Sequence, residues 1–154
     1  LCGSWTPAKV KLAVSGCPRN CAEATVKDIG IICVESGYDI HIAGAAGLHV
    51  RATDLLGHVD TEEEAIEYVA AFMQLYREQA AYLERVWKWL EKYGLDKARA
   101  AIMDDHDGRR ALLERFKKSQ LAVRRDPWAE RAAGRSLNDF RPLAVLTPVA
   151  VPAE

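Results

Sequence analysis

The sequence has no run of apolar residues long enough to cross a bilayer, although 49% of its 154 residues are hydrophobic. A membrane-spanning helix needs about 20 consecutive apolar residues, so these residues hold no transmembrane segment. The first residues also lack the basic and apolar regions of a secretory signal. The net charge is only −1 and no basic stripe is interleaved with aromatic residues, which argues against a nucleic-acid partner. We therefore expect a cytoplasmic protein that binds neither a membrane nor nucleic acid.

Several catalytic motifs are missing as well. The sequence contains no phosphate-binding Walker loop, no dinucleotide fingerprint and no Ser/His/Asp set. Its four histidines share no spacing typical of metal ligands. Cysteine is scarce, with four residues, and without a secretory signal these are expected to be reduced thiols or metal ligands rather than disulfides. The chemistry of the chain therefore has to be sought first among its cysteines.

The pattern of apolar residues is that of a folded domain and changes its period along the chain. We expect an α+β fold, in which a small, mostly antiparallel sheet carries a Cys-x3-Cys turn and is followed by helices. Residues 1–60 would form the part that contains the sheet, and residues 61–125 a helical region of the same domain. Residues 126–154 are expected to form an extended tail. This tail would dock through three apolar side chains: Trp128, Phe140 and Leu143.

Alternation of apolar and polar residues predicts the strands. Lys9 to Ser15 alternates so that both of its lysines fall on one face. Ile29 to Glu35 is typical of a buried strand, and Ser36-Gly37 of a hairpin turn into a strand from Tyr38 to Ala43. A short helical stretch is expected from Ala22 to Lys27.

From Thr61 the apolar spacing becomes helical. Thr61 and Glu64 form a capping box, apolar residues recur every three or four positions as far as Leu90, and Gly94 is typical of a C-cap. This pattern fits one helix packed on the sheet or two helices broken near Gln79. A coiled-coil dimer seam is the alternative that periodicity leaves open.

Two further helices are predicted downstream. One runs from Asp96 to Met103. The other runs from Gly108 to Val123, with Asp107 as its N-cap, and Asp126-Pro127 is expected to stop it.

Two of the cysteines, Cys17 and Cys21, are separated by three residues on a turn that also contains Gly16 and Pro18. Thiolates exposed on such a turn can ligate a soft metal or an iron–sulfur cluster. A cluster is normally held by four cysteines, so this turn provides half a site. Cys33 lies within an apolar strand and is expected to be a structural thiol.

Lys9 and Lys11 lie just upstream of the cysteine turn. On their own they are typical of solvated lysines that protect the edge of a sheet. Beside a metal centre, two ammonium groups would instead attract a small oxyanion and supply it with protons.

Five other positions near these residues are candidates for cofactor contacts. Arg19 and Asn20 can donate to a cofactor carboxylate, although Asn20 is equally suited to cap the following helix. Gly44 and Gly47 allow either an ordinary turn or a close approach to a flat cofactor. Arg51 is a candidate partner for a carboxylate or another anion.

The segment from Thr6 to Ala24, TPAKVKLAVSGCPRNCAEA, closely resembles the sirohaem and iron–sulfur signature of the nitrite/sulfite reductase family. The resemblance continues through Lys27–Gly30 and from Ile42 to Arg51. The segments Asp126–Arg131 and Phe140–Leu143 are similar to the C-terminal end of the large subunit of assimilatory NAD(P)H-dependent nitrite reductases.

This resemblance implies that residues 1–60 are the C-terminal portion of a sirohaem/[4Fe–4S] half-domain. In the family, two cysteine pairs hold the cluster, so Cys17 would be a cluster ligand and Cys21 would also bridge to the sirohaem iron. The other pair, a C-x5-C, is expected upstream of this sequence. Lys9 and Lys11 match the family's Lys-x-Lys and would bind the anion and deliver protons. In members with two fused halves, the lysines and the bridging cysteine of one sirohaem come from different halves, so another subunit is expected to complete the site.

The activity that the resemblance implies is the six-electron reduction of nitrite to ammonia. Electrons would come from NAD(P)H through FAD in an N-terminal region, and the expected partners are nitrite, a nitrite reductase small subunit and further copies of the chain. Sulfite reduction is the alternative within the family. A non-catalytic remnant or an electron-transfer accessory chain is the alternative outside it.

Overall fold

The structure, a computed structural model, describes residues 4–123 and 132–134. The chain divides into two compact units, Leu1–Val123 and Arg124–Glu154, and the fold below is that of the first. The tail predicted for residues 126–154, with its three docking side chains, lies outside the described residues apart from 132–134. Among the described residues, no helix is long and apolar enough to span a membrane.

The first unit is an α+β fold, as the sequence predicts, and its sheet has four strands. The strands are β1 (Leu12–Ser15), β2 (Ile29–Val34), β3 (Gly37–Ile42) and β4 (Asp54–Val59). The α-helices of the described residues in this unit are α1 (Glu62–Gln79), α2 (Val86–Tyr93), α3 (Leu95–Arg99) and α4 (His106–Val123). A 3-10 turn at Ala24–Val26 lies before β2, and a π-helical turn at Ala100–Asp104 lies before α4.

The strands follow one another across the sheet in chain order, β1-β2-β3-β4. β2 and β3 form the predicted hairpin, and β3 pairs antiparallel with β4 through an irregularity between Ile40 and His41. β1 pairs parallel with β2, with Leu12 opposite Ile29. A parallel pair needs a crossover connection of about a dozen residues or more, and residues 16–28 form it. The cysteine turn therefore lies on this crossover, directly after β1.

One face of the sheet forms the hydrophobic core with α1. Alternate residues of β2 and β3 point to this face, as the period of a strand requires. They are buried against α1, which presents a broad apolar surface. The strand residues are Ile29, Ile31, Ile40 and Ile42, and the buried helix residues include Val69, Phe72, Met73 and Tyr76.

The long apolar pattern after Thr61 forms two helices rather than one. α1 begins with the predicted capping box between Thr61 and Glu64. It ends at Gln79, where Ala80 leaves the helical region with φ −83° and ψ 146°. The break confirms the prediction of two helices, and a continuous coiled-coil seam is wrong because the buried face of α1 packs on the sheet and on α4.

Three predicted boundaries are corrected by the structure. The helical stretch expected from Ala22 to Lys27 is a single 3-10 turn, Ala24–Val26. The strand expected from Lys9 covers only Leu12–Ser15, so both lysines precede it. The helix expected from Gly108 begins at His106, and its first turn is capped by Asp105 instead of Asp107, because the Asp105 carboxylate accepts the Gly108 N–H at 2.9 Å.

Candidate functional site

The cysteine turn is built by hydrogen bonds to its own backbone. The Cys17 carbonyl accepts the Ser15 hydroxyl and the Asn20 N–H, each at 3.2 Å. Ser15 is buried, whereas Cys17 and Cys21 are both exposed free thiols. Cys33 is half-buried in β2. The fold therefore exposes two thiols on a turn whose backbone is fixed by hydrogen bonds.

Asn20 ties the turn to the 3-10 turn that follows it. Its side-chain oxygen accepts the Thr25 N–H at 3.3 Å and its amide donates to the Thr25 hydroxyl at 2.6 Å. The backbone of Asn20 adopts φ 55°, a left-handed conformation that asparagine tolerates better than most residues. Asn20 thus holds the 3-10 turn through Thr25, although the N-cap position itself is Glu23, and its contact with a cofactor stays a prediction. Arg19 is exposed on the same turn.

The chemistry of the two thiols fits an iron–sulfur cluster. Thiolates are the usual protein ligands of [4Fe–4S] clusters, and both of these thiols are exposed. Within residues 4–123 and 132–134, no group of three or more His, Cys, Asp or Glu is placed to hold a metal ion. The described residues thus offer two exposed thiols, and a four-cysteine cluster site would need two further ligands.

Lys9 and Lys11 line one pocket, although neither lies in a strand. The pocket has a volume of about 170 Å³ and an open mouth. Its opposite wall is the loop 45–49, where the His49 ring stacks on Trp87 with centroids 4.3 Å apart. We call this cavity the lysine pocket; its other lining residues are Val26, Asp28 and Arg85.

The lysine pocket contains a charged pair that sequence reasoning missed. Asp28 is 1% exposed, and both of its carboxylate oxygens accept Arg85 Nη2 at 2.8 Å. Asp28 also accepts the backbone N–H of Lys11 at 2.8 Å. Asp28 and Arg85 are 57 positions apart in the sequence, and neither belongs to a motif that would have paired them. Trp87 lies within the helical apolar pattern that runs from Thr61 to Leu90, and it forms a wall of the pocket as well.

The loop between β3 and β4 is held by its own residues. A β-carbon on Gly44 would lie 2.5 Å from the Lys27 carbonyl, so glycine allows this loop to approach the crossover. Arg51 donates to the Ala43 carbonyl at 2.8 Å and to the Asp54 carboxylate at 2.7 Å. The guanidinium of Arg51 therefore has partners within the loop, and its contact with a cofactor stays a prediction. Around Gly47 there is open space.

The lysines and the thiols lie at opposite ends of β1. Lys11 directly precedes the four residues of the strand, and Cys17 comes two residues after its end. Since a strand rises about 3.3 Å per residue, β1 separates the two groups by roughly 13 Å. Among the described residues that line the lysine pocket, neither cysteine occurs.

Residues 2–110 match the family described as the nitrite and sulphite reductase 4Fe-4S domain. The match covers more than half of the chain, so the chain belongs to this family. A protein that presents paired thiols on a turn and two lysines in a pocket beside the sheet is in keeping with that assignment.

Similar proteins refine this picture. The chain is 46% identical over 128 residues to nitrite reductase [NAD(P)H] of Bacillus subtilis, covering 83% of the chain and 16% of that protein. It is 42% identical over 114 residues to the nitrite reductase (NADH) large subunit of Escherichia coli, covering 73% of the chain and 14% of that protein. It is 35% identical over 97 residues to an assimilatory-type sulfite reductase of Nitratidesulfovibrio vulgaris, covering 63% and 44%. The chain therefore spans only a small part of the nitrite reductases it resembles.

Proposed function

We propose that the chain is part of a nitrite reductase large subunit, where it contributes half of the cluster ligands and the lysines that bind the substrate. The observation that carries this proposal is the pair of exposed thiols, Cys17 and Cys21, on an anchored turn in a chain of this family. The two relatives named as nitrite reductases have the higher identities among the three described above.

Cys17 and Cys21 would hold a [4Fe–4S] cluster together with two cysteines from outside this sequence. Cys21 is the thiolate that we assign to the bridge with the sirohaem iron. When bound, this coupled centre would supply the electrons for the reduction. Arg19, Asn20 and Arg51 are the proposed contacts to the cofactors, with Arg19 the most exposed of the three.

Lys9 and Lys11 would hold the oxyanion and give it protons. Nitrite takes up six electrons and eight protons to give ammonium and two water molecules, so the site has to supply protons repeatedly. An ammonium group is a compact, strongly hydrated charge with three donors, which suits both tasks. Both lysines are exposed at the open mouth of their pocket, so water can return the protons they lose.

A second copy of the chain, or a second half-domain, would complete each site. This proposal is supported by the length of β1, which keeps the lysines of one chain away from its own thiols. Nitrite and a small subunit are the further proposed partners. NAD(P)H and FAD would bind parts of the protein outside this sequence, and we place the enzyme in the cytoplasm because its thiols have to remain reduced.

The proposal is tested on the full-length enzyme by its absorption and EPR spectra, its iron content and its nitrite reductase activity. Cys17→Ser and Cys21→Ser are expected to lose the cluster signal and the activity, because an alcohol is a poor ligand for iron in a cluster. Cys33→Ser is the matched control and is expected to keep both. Retention of a normal haem spectrum and nitrite reduction in Cys21→Ser would rule out the bridging role.

Sulfite reduction is the second candidate, since a sulfite reductase is among the similar proteins. Both anions are small oxyanions that the lysine pocket can attract. Steady-state kinetics with each substrate distinguish the two: we expect a kcat/KM for nitrite well above that for sulfite. The reverse order would make the chain part of a sulfite reductase, and a cluster-free protein inactive with both would be a non-catalytic remnant.

A further inference from the structure

We propose that Arg85 and Asp28 form a positioning pair that fixes the backbone of Lys9 and Lys11, and that this pair sets how tightly the lysine pocket holds an oxyanion. This inference rests on the proposed function of the two lysines. It concerns a pair of residues that no motif in the sequence indicates.

The backbone of the two lysines needs side-chain contacts to fix it because it lies outside the sheet. Residues 6–11 precede β1, and only the last of them joins the strand ladder, where the Lys11 carbonyl accepts the Ile29 N–H at 3.1 Å. The other backbone group of Lys11, its N–H, donates to the Asp28 carboxylate at 2.8 Å. We call residues 6–11 the lysine segment. Its C-terminal end is therefore held by the Asp28 side chain, whereas a strand would be held by a backbone carbonyl.

Asp28 can do this only if its own charge is compensated. The residue is 1% exposed, and a buried carboxylate is unfavourable unless a cation or several donors accompany it. Arg85 supplies the cation, since its Nη2 lies 2.8 Å from both carboxylate oxygens. Without Arg85, a negative charge would also stand in the lining of a pocket that has to attract anions.

Arg85 is itself placed by the connection between α1 and α2. In this connection the Leu83 N–H donates to the Pro7 carbonyl at 2.8 Å, which holds the other end of the lysine segment. The Tyr76 hydroxyl donates to the Glu84 carbonyl, next to Arg85. Burial raises the pKa of Tyr76 to about 12, so this donor keeps its proton at neutral pH. The α1–α2 connection thus holds the lysine segment at two points. Leu83 bonds to Pro7, and Arg85 pairs with the Asp28 that bonds to Lys11.

The experiment uses the full-length enzyme with the variant Arg85→Gln. Hydrogen–deuterium exchange reports the backbone of residues 6–16, and steady-state kinetics report KM and kcat for nitrite. Arg115→Gln is the matched control, because Arg115 also pairs with a carboxylate, that of Glu78, but lies outside the pocket lining. Arg85→Lys and the double variant Arg85→Gln/Asp28→Asn complete the set.

We expect the backbone of residues 6–16 to exchange faster in Arg85→Gln. The nitrite KM should rise about tenfold, as if one charge-assisted contact between a lysine and the anion were lost, and kcat should change less. The nitrite KM of Arg85→Lys should lie between those of the wild type and Arg85→Gln. The KM of the double variant should lie closer to that of the wild type, because an asparagine oxygen still accepts the Lys11 N–H and needs no counter-charge. Arg115→Gln should leave both measurements at the wild-type level.

Unchanged exchange in Arg85→Gln would overturn the positioning role, whatever happens to KM. A raised KM without recovery in the double variant would also overturn it, because Arg85 would then contact the anion directly. Should Arg85→Gln fail to fold, Arg85→Lys carries the same two measurements. Absence of nitrite reduction by the wild-type enzyme would refute the proposed function, and the exchange data alone would then decide whether the pair positions the lysines.

Discussion

The backbone carbonyl of Ala24 lies 2.3 Å from the position that a β-carbon would occupy at Gly30. Gly30 belongs to β2, and Ala24 begins the 3-10 turn that follows the cysteine turn. The crossover therefore packs directly on the backbone of the sheet, on the face opposite to α1. The position of the thiols depends on this contact, because the same crossover carries them.

Gly30→Ala is expected to destabilise the fold and to disturb the cysteine turn. The added methyl group meets backbone, which cannot move aside as a side chain would, and overpacking of this kind costs about 1–3 kcal/mol. Chemical denaturation measures the loss of unfolding free energy, and iron content reports the turn. For the unfolding free energy, Gly47→Ala is the control, since nothing lies within 4 Å of its β-carbon. A Gly30→Ala variant as stable as the control would contradict the close packing.

Lys11→Ala in the full-length enzyme is expected to raise the nitrite KM about tenfold, the effect of losing one charge-assisted hydrogen bond. Turnover should fall as well, because one proton donor is removed. Lys118→Ala, at an exposed position of α4, is the control. Wild-type kinetics for Lys11→Ala would return this residue to the role of a solvated lysine near a sheet edge.

Asp105→Ala is expected to cost about 1 kcal/mol of unfolding free energy, the usual effect of losing an N-cap. The carboxylate that accepts the Gly108 N–H would be gone, and the first turn of α4 would lose a partner. Asp107→Ala is a matched control, because Asp107 lies in the first turn of the same helix. If thermal or chemical denaturation gives the larger loss for Asp107→Ala, the corrected cap is wrong.

His58 is expected to make stability depend on pH. The hydrogen bond from His58 to Asp39, at 2.8 Å, raises the pKa of the imidazole above its ordinary value of 6.5. A raised pKa in the folded state means that the contribution to stability is complete below pH 6.5 and disappears as the pH rises through the folded-state pKa. The difference in unfolding free energy between wild type and His58→Gln should therefore be largest at mildly acidic pH.

His41 provides an internal comparison for this measurement. Burial lowers its pKa, so in an NMR titration of the histidine rings it should lose its proton at lower pH than His58. An equal or reversed order of the two midpoints would contradict the environments described for both rings.

The local parts of the fold follow from the sequence, and the parts built by distant contacts do not. The capping box of α1 and the β2–β3 hairpin depend on residues close together in the chain, and both were predicted. β4 was missed, because the segment DLLGHV places Gly57 and His58 in a strand and alternates poorly. Gly57 also packs against a distant part of the chain, since a β-carbon there would lie 2.3 Å from the end of the flexible Met103 side chain.

The residues of the candidate site also divide into those with a local signal in the sequence and those without one. The cysteine turn and the pair of lysines are visible in one short segment of sequence. Arg85 and Trp87 carry no local signal that would join them to these lysines, since the fold alone brings the beginning of α2 to this place. Sequence reasoning thus named the candidate groups, the two thiols and the two lysines, and missed the residues that surround and hold them.

The hydrogen bond from Leu83 to Pro7 joins residues that are far apart along the chain. Contacts of such long sequence separation require the closure of a large loop, and this closure has an entropic cost that neighbouring contacts do not repay early in folding. We therefore expect the lysine pocket to be completed late, after the hairpin and the long helices have formed. A nascent chain would then acquire the lysine pocket only once the scaffold beneath the thiols already exists.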